Sequence, residues 1–233
     1  MPTILAIDTS TQLASVALLR DDRIITRESS GVQTHSQSIL PLLQELLAEA
    51  GITLVQCDAI AFGAGPGSFT GIRTACGITQ GLAYGMSLPV VPVGTLEAMA
   101  EACREATGAT DVLTVLDAQM GEVYWAQYRF VDNNWRPVIA PLLSAPSAVE
   151  SHGEAVACGN GLASYTTAFV ERSFMICALP TMMPHARHVA RIGNRSFMLG
   201  KTLNARDAQP VYLRNKVAFT TAERAAKAAK MSA

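Results

Sequence analysis

An internal repeat constrains the fold of this chain more than any other feature. Residues 4–8 form a short apolar run that ends in an acid, and a second strand pattern follows after a polar turn. The same pattern returns at 113–117, again ending in an acid and followed by a second strand. A third strand is predicted in each half, at 24–28 and at 135–143. A repeat of this size predicts two related α/β lobes, not a solenoid of short units.

Strands alternate with helices in the first half. Short apolar runs at 59–62 and 89–93 predict strands, and helices are predicted at 34–50, at 70–85 and from a Thr95 cap onward. Alternation of this kind indicates a largely parallel central sheet. We therefore expect an α/β fold whose strands carry functional side chains at their carboxyl ends.

The first predicted helix has a wide apolar stripe. Thr34 and Gln37 match a capping box, but Pro41 indicates that the regular helix begins near Ser38. Gly51 ends the pattern. The stripe has the spacing of an amphipathic helix and consists of Ile39, Leu42, Leu43, Leu46, Leu47 and Ala50.

The second half is less regular, with a strand predicted at 155–158 and a helix at 185–201. We divide the chain into an N-terminal lobe at 1–108, a degenerate second lobe at 109–215, and a basic tail at 216–233. From Val211 onward the chain has five basic residues and one acid, a composition that predicts either a solubilising end or a contact with RNA or an acidic partner.

Composition argues for a soluble protein with an apolar contact surface. Apolar residues make up 49% of the chain and charged residues only 16%, so part of the apolar surface is expected to face a partner. The net charge of −1 gives no electrostatic case for nucleic acid. Five scattered cysteines and the lack of an uninterrupted apolar span predict a cytoplasmic protein with reduced thiols and no membrane contact.

The loop 65–73 reads Gly-Pro-Gly-Ser-Phe-Thr-Gly-Ile-Arg and joins a strand to a helix. Such a junction can hold an anion on free backbone N–H groups. A Walker loop is excluded because no lysine precedes Lys201, and the glycine spacing does not match a dinucleotide loop or a serine nucleophile elbow. An anion contact through Gly67, Ser68 and Thr70 remains as a weaker hypothesis.

Two acids follow corresponding strands. Asp8 and Asp117, one from each lobe, could face each other across a cleft and hold Mg²⁺ through water, with ATP or ADP as the ligand. Equally, each acid could cap its own turn. His185 and His188 are interpreted as surface histidines, because a tight metal site needs three or four ligands. No metal site and no catalytic residue are predicted.

The helix at 70–85 has glycines at every fourth position: Gly77, Gly81 and Gly85. Each costs about 1 kcal/mol relative to alanine, so close packing must compensate, either on the chain's own sheet or on a partner's helix. The partner surface is the preferred interpretation. Its predicted residues are Ile39, Leu42, Leu43, Leu46, Arg73, Cys76, Gly77, Gln80, Gly81, Tyr84 and Gly85.

Four motifs in order resemble the TsaB (YeaZ) family, which is needed for threonylcarbamoyladenosine (t6A) in bacterial tRNA. They are Ile-Leu-Ala-Ile-Asp-Thr at 4–9, the loop at 65–73, Asp-Ala-Gln-Met-Gly-Glu-Val-Tyr at 117–124, and Pro-Val-Tyr-Leu-Arg-Asn at 210–215. The resemblance covers nearly the whole chain and is weakest at about 130–205.

The resemblance implies an actin/Hsp70-like (ASKHA) fold of two ribonuclease-H-like lobes. It also implies a cytoplasmic, non-catalytic partner of TsaD that works with the ATPase TsaE, meets tRNA only indirectly, and uses the helices at 36–50 and 70–86 to bind TsaD or a second copy of itself. TsaD-type enzymes bind metal through an H-x-x-x-H pair, which this sequence lacks. Two alternatives stay open: an enzyme that binds or hydrolyses ATP, and a glycoprotease-like peptidase acting on TsaD.

Overall fold

The computed structural model describes residues 2–29 and 35–214, which form two β-sheets with helices on their faces. The first sheet has the strand order β3-β2-β1-β4-β5. Its outer strands on one side run antiparallel, whereas β1, β4 and β5 are parallel to one another. The strands are β1 (Ile4–Asp8), β2 (Ala14–Arg20), β3 (Arg23–Ser29), β4 (Ala59–Gly65) and β5 (Val90–Gly94).

The second sheet repeats this topology with one strand fewer. Its order is β8-β7-β6-β9, with antiparallel pairing on one side of β6 and parallel pairing to β9 on the other. The strands are β6 (Asp111–Asp117), β7 (Val123–Val131), β8 (Asn134–Ser144) and β9 (Val156–Cys158). The matching order confirms the internal repeat and the predicted two-lobe α/β fold.

Six α-helices cover the two sheets within the described residues. α1 (His35–Ala50) and α2 (Phe69–Met86) pack on the outer face of the first sheet against Leu5, Ile7 and Phe62. In the described part of the chain, the corresponding face of the second sheet is covered by shorter segments, among them α4 (Gly161–Ser164) and α5 (Thr166–Phe169). The longer α3 (Thr95–Thr107) and α6 (Ala186–Met198) lie between the sheets.

α3 and α6 are exchanged between the repeats. α3 follows β5 of the first sheet, but it packs mainly against β6 of the second. α6 belongs by sequence to the second repeat, but it packs against β1, β2 and β4 of the first. Gly193 allows this approach, since a Cβ there would lie 2.5 Å from the Cβ of Ala61. One apolar core therefore contains residues of both sheets.

Several predicted boundaries need correction. α1 is regular from His35 and continues through Pro41, because burial of Ile39 and Leu43 on the sheet outweighs the hydrogen bond that proline cannot donate. Thr34 lies outside the described residues, as does the chain after Arg214 with its basic tail. Gly94, not Thr95, is the cap residue of α3, and α6 ends at Met198.

The predicted lobe boundary near residue 108 falls between the strands of the two sheets, but helices pack across it. β1 to β5 precede it and β6 to β9 follow it, whereas the exchanged helices cross it in both directions. Within the described part of the chain, no helix is both long and apolar enough to cross a membrane.

Candidate functional site: the interlobe cleft and the outer face of α2

The glycine-rich loop packs on the chain's own β1–β2 turn. A Cβ on Gly71 would collide with the carbonyl oxygen of Thr9, and a Cβ on Gly67 would collide with that of Ser10. The Ser68 N–H donates to the Ser10 carbonyl at 2.7 Å, and the Thr9 hydroxyl donates to the Gly71 carbonyl at 2.7 Å. These glycines allow two backbone segments to touch.

The start of α2 is capped from within the loop. The Ser68 hydroxyl accepts a hydrogen bond from the Gly71 N–H at 3.3 Å. Two of the amides that would hold an anion at this helix start, those of Ser68 and Gly71, therefore already have partners in the chain. The predicted anion contact through Gly67, Ser68 and Thr70 stays a prediction with fewer donors than the sequence suggested.

A cleft of about 1180 Å³ lies between the lobes, at the carboxyl ends of β1 and β6. Asp117 lines it, together with Asn160, Gln119 and Arg214. The glycine-rich loop lines the opposite side at 66–69. A cleft at the strand ends is where open α/β folds bind ligands, and both predicted acids stand at the ends of strands that meet here.

Asp8 is buried and does not belong to the lining of the cleft. Its Oδ1 accepts hydrogen bonds from the Ser10 N–H at 2.9 Å and from the Ser10 hydroxyl at 2.8 Å. Its Oδ2 packs against Gly63 and has no hydrogen-bond partner among the described residues. Burial raises the pKa of this carboxyl group above its usual value. Asp8 thus stabilises the β1–β2 turn through its hydrogen bonds with Ser10.

Asp117 organises the β6–β7 turn. Its carboxylate accepts hydrogen bonds from the Gln119 N–H at 2.8 Å, the Gln119 side chain at 2.9 Å and the Tyr165 hydroxyl at 2.9 Å. Its own N–H donates to the side-chain oxygen of Asn160 at 2.9 Å. Asp8 and Asp117 therefore do not face each other as a pair of free carboxylates. Their contacts fit the alternative in which each acid caps its own turn.

Four residues of the predicted partner surface lie inside the chain's own core. Ile39, Leu43 and Leu46 of α1 and Cys76 of α2 are buried against the first sheet. The sequence pattern identified an apolar stripe correctly but could not separate a stripe that faces the chain's own sheet from one that faces a partner. Leu42 is only partly buried at the edge of this core.

The glycine ridge of α2 faces outward. Gly77, Gly81 and Gly85 are exposed, and no other part of the described chain comes within 4 Å of where their Cβ atoms would lie. Tyr84 stands beside the ridge with 80% of its surface exposed. A shallow cavity of about 160 Å³ between α1 and α2 is lined chiefly by leucines, including Leu40 and Leu82. The ridge is therefore not packed on the chain's own sheet.

Two further residues of the predicted surface, Arg73 and Gln80, contact the segment at 208–212, which was not predicted to lie near them. The Arg73 guanidinium donates to the Tyr212 hydroxyl at 2.7 Å and lies 3.7 Å from the centre of the Phe69 ring. The Gln80 amide donates to the Ala208 carbonyl at 2.9 Å. The motif at 210–215 was the available signal, but nothing in it indicated a contact with α2.

The two histidines are largely buried and not surface residues as predicted, and they have separate partners. His185 caps the start of α6 and lies 3.1 Å from a carboxylate oxygen of Glu28, whereas His188 lies 3.2 Å from one of Glu105. Burial lowers the pKa of His188 to about 4. Among residues 2–29 and 35–214, no group of three or more His, Cys, Asp or Glu side chains is arranged to hold a metal ion.

Comparison with known proteins places the chain in a family. The family model of TsaD, tRNA N6-adenosine threonylcarbamoyltransferase, matches residues 22–231. The tRNA threonylcarbamoyladenosine biosynthesis protein TsaB of Escherichia coli K12 is 39% identical over 222 residues, covering 93% of this chain and 96% of that protein. TsaB of Haemophilus influenzae is 36% identical over 230 residues, with coverage of 93% and 95%.

Two solved structures from Pseudomonas aeruginosa share the fold at 35% identity. One, described as an uncharacterized protein with similarity to peptidase YEAZ, has a TM-score of 0.86 and covers 92% of this chain. The other is YeaZ, with a TM-score of 0.84 and 91% coverage, and both are matched over their entire length. The chain belongs to the TsaB (YeaZ) family of tRNA threonylcarbamoyladenosine biosynthesis proteins.

Proposed function

We propose that this chain is a non-catalytic cytoplasmic subunit of the machinery that forms t6A in tRNA. It binds and activates TsaD through the outward face of α2, works with TsaE, and meets tRNA only through the assembly. The similarity to TsaB proteins supports a role in t6A biosynthesis. The match to the TsaD family model shows that the chain resembles its proposed partner.

The outward glycine ridge is the observation that carries this proposal. Three glycines inside a helix destabilise it by about 3 kcal/mol relative to alanine. Within the described chain nothing packs on the ridge at Gly77, Gly81 and Gly85, so no internal contact offsets that cost. A partner helix that approaches the bare backbone closely would bury the ridge and use it. Exposed Tyr84 beside the ridge supplies an aromatic anchor of the kind that dominates interface energies.

The charges on this face also favour a protein partner. α2 has one charged side chain, Arg73, and its guanidinium stacks on Phe69 and donates to the Tyr212 hydroxyl. A face with so little free charge suits the centre of a protein–protein interface, from which charged residues are depleted, and not a phosphate backbone.

The two acids support a non-catalytic role. Asp8 is buried under the β1–β2 turn, and Asp117 is occupied by Gln119 and Tyr165. A general base must reach the reacting group, which the buried Asp8 carboxylate cannot do, and the Asp117 carboxylate at the cleft already accepts three hydrogen bonds within the chain.

Substitutions of Gly81 test the interface with opposite expected effects on stability and binding. Gly81→Ala should raise the free energy of unfolding by up to about 1 kcal/mol, because it removes a helix penalty where space is open. The same variant should weaken binding to TsaD, and Gly81→Leu should abolish it. Calorimetric titration measures the affinity, and urea denaturation measures the stability.

The matched control is Ala106→Leu, which adds a larger side chain at an exposed position of α3, outside the proposed interface. It should leave TsaD binding unchanged. Undiminished binding of TsaD by Gly81→Leu would rule out the proposed surface.

Self-association through the same face predicts that TsaD and a second copy of this chain compete for it. Sedimentation should then show that homodimers disappear as TsaD is added.

The cleft favours a nucleotide as the second candidate function. Its volume of about 1180 Å³ is sufficient for ATP or ADP, held alone or at the junction with TsaD. Titration of the purified chain with ATP and an assay of released phosphate test this candidate. Hydrolysis by the chain alone that is lost in Asp117→Ala would favour it over the scaffold role. Cleavage of TsaD on prolonged mixing would instead favour the peptidase alternative.

A further inference from the structure

A segment at 203–214, which we term the C-terminal strap, crosses from the first sheet to the second lobe. It begins beside the edge strand β5, where Val90 and Leu203 exchange two backbone hydrogen bonds of 2.9 Å. Ala205 and Ala208 are then buried in the same apolar core as α1 and α2, and the segment around Ala205 contacts α2. The strap is therefore anchored in the first lobe's core at these two alanines, although most of its other residues are exposed.

Midway, the strap is attached to α2 and to the loop that precedes it. Gln80 donates to the Ala208 carbonyl at 2.9 Å, and the Val211 N–H donates to the Ala64 carbonyl at 2.7 Å. The Val211 carbonyl lies against Gly65, where a Cβ would come within 2.7 Å of it. Both the middle of α2 and the strand that leads into it are thus fixed to the strap.

An aromatic clamp holds the first turn of α2. Phe69 is the first residue of the helix, and its ring centre lies 5.7 Å from that of Tyr212. The Arg73 guanidinium, one turn later, stacks on Phe69 and donates to the Tyr212 hydroxyl. Tyr212 therefore contacts two residues on successive turns of α2, on which the glycine ridge begins at Gly77.

The far end of the strap reaches the second lobe. The Arg214 guanidinium donates to the Glu122 carboxylate at 2.6 Å and to the Gln119 carbonyl at 3.4 Å, and only 15% of its side chain is exposed. Residues 211–214 also line the interlobe cleft. One short segment thus joins the β6–β7 turn, the cleft and the helix with the glycine ridge.

We propose that the C-terminal strap positions α2 for TsaD and couples that face to the second lobe. In this proposal, which rests on the proposed function above, Tyr212 is a positioning residue that acts through Arg73 and Phe69. Arg73 and Gln80, which the sequence analysis placed in the interface, then act by holding the strap. Since coupling is reciprocal, TsaD binding must in turn stabilise the strap.

The first test compares strap variants of the full chain for binding to TsaD. Tyr212→Phe keeps the ring but removes the hydroxyl that Arg73 contacts, and loss of one hydrogen bond of this kind should weaken binding about three- to tenfold. Tyr212→Ala should weaken it further. The matched control is Arg206→Ala, because this strap residue is 81% exposed and its nearest charged partner is its neighbour Asp207; its affinity should equal that of the wild type.

A double-mutant cycle separates positioning from direct contact with TsaD. If Tyr212 acts through Arg73, the variant with Tyr212→Phe and Arg73→Gln should bind no more weakly than Arg73→Gln alone. If each side chain touches TsaD independently, the two losses add, and the positioning role is overturned. The wild-type chain must bind TsaD in the same assay; failure there removes the proposed function itself.

Hydrogen exchange supplies a readout that a purely structural role would not change. Binding of TsaD should slow exchange of the Val211 N–H, which bonds to Ala64 away from the glycine ridge. Tyr212→Ala should reduce that slowing. Wild-type affinity in Tyr212→Phe and Tyr212→Ala, or an unchanged Val211 exchange rate on binding, would overturn the coupling while leaving the ridge as the TsaD contact.

Discussion

Glu97 lies on the first turn of α3, next to Glu101. Burial raises its pKa to about 7, from 4.5, with a further rise from the charge of Glu101, and Arg195 and Lys201 oppose the rise only in part. Below about pH 4.5 the carboxyl is protonated in both the folded and the unfolded chain. As the pH rises to 7, the unfolded chain loses this proton first, so Glu97 makes the fold less stable across that window.

Glu97→Gln should remove this pH dependence. At pH 8 the variant should be more stable than the wild type by about 1–3 kcal/mol, because the amide does not ionise, whereas at pH 4 the two proteins should be nearly equal. Urea denaturation of both proteins between pH 4 and 8 measures the difference. A difference that stays constant over this range would show that Glu97 does not titrate as described.

Single residues also mark the limit of what the sequence predicts. Gly67 was predicted to contact an anion, and the structure shows that the groups close to Gly67 and Gly71 are the backbone carbonyls of Ser10 and Thr9. A glycine pattern records the need for space but not the identity of the neighbour. The strand pattern correctly placed Asp8 and Asp117 at strand ends. Their burial and hydrogen bonds could not be predicted, because they depend on distant segments, such as Tyr165 for Asp117.

At the scale of elements, acidic residues of α3 pair with basic residues of α6. Arg195 makes two hydrogen bonds with the Glu101 carboxylate, at 2.9 and 2.7 Å, and the indole N–H of Trp135 donates to the same carboxylate at 2.7 Å. Arg195 lowers the pKa of Glu101 although burial acts in the opposite direction. One turn along α3, the more exposed Glu105 pairs with Arg187 and Arg191.

The buried and the exposed pair should contribute very differently to stability. Arg195→Ala leaves Glu101 buried without its countercharge and should lower the free energy of unfolding by about 3 kcal/mol. Arg187→Ala is the matched control on the same helix; it should cost less than about 1 kcal/mol, because Glu105 is accessible to water and keeps Arg191. Urea denaturation measures both. Equal losses in the two variants would contradict this account.

The sequence predicted most of these elements but not their exchange. The strand order of the second sheet agrees with the predicted repeat, and a helix was expected at 185–201. The prediction of a helix does not say which sheet it packs against, because either sheet could bury one of its faces. Contacts such as Gly193 on Ala61 involve residues far apart in the chain and have no local signal.

For the whole molecule, the exchanged helices make each lobe dependent on the other. The inner face of the first sheet, with Ile4 and Ala61, is covered by α6 from the second repeat. The face of β6 is covered by α3 from the first. Unfolding one lobe alone would expose the apolar face of the other, so we expect a single cooperative transition.

Gly193→Ala tests this dependence, because the added methyl group would press α6 against Ala61 of the first sheet. Overpacking of this kind should lower the free energy of unfolding by about 1–3 kcal/mol. Fluorescence of Trp125 and Trp135 reports the second sheet, and amide exchange in β1 reports the first. Both should show the same loss, whereas Gly77→Ala, at an open helix position, should be stabilising. A loss confined to one sheet would mean that the lobes unfold independently.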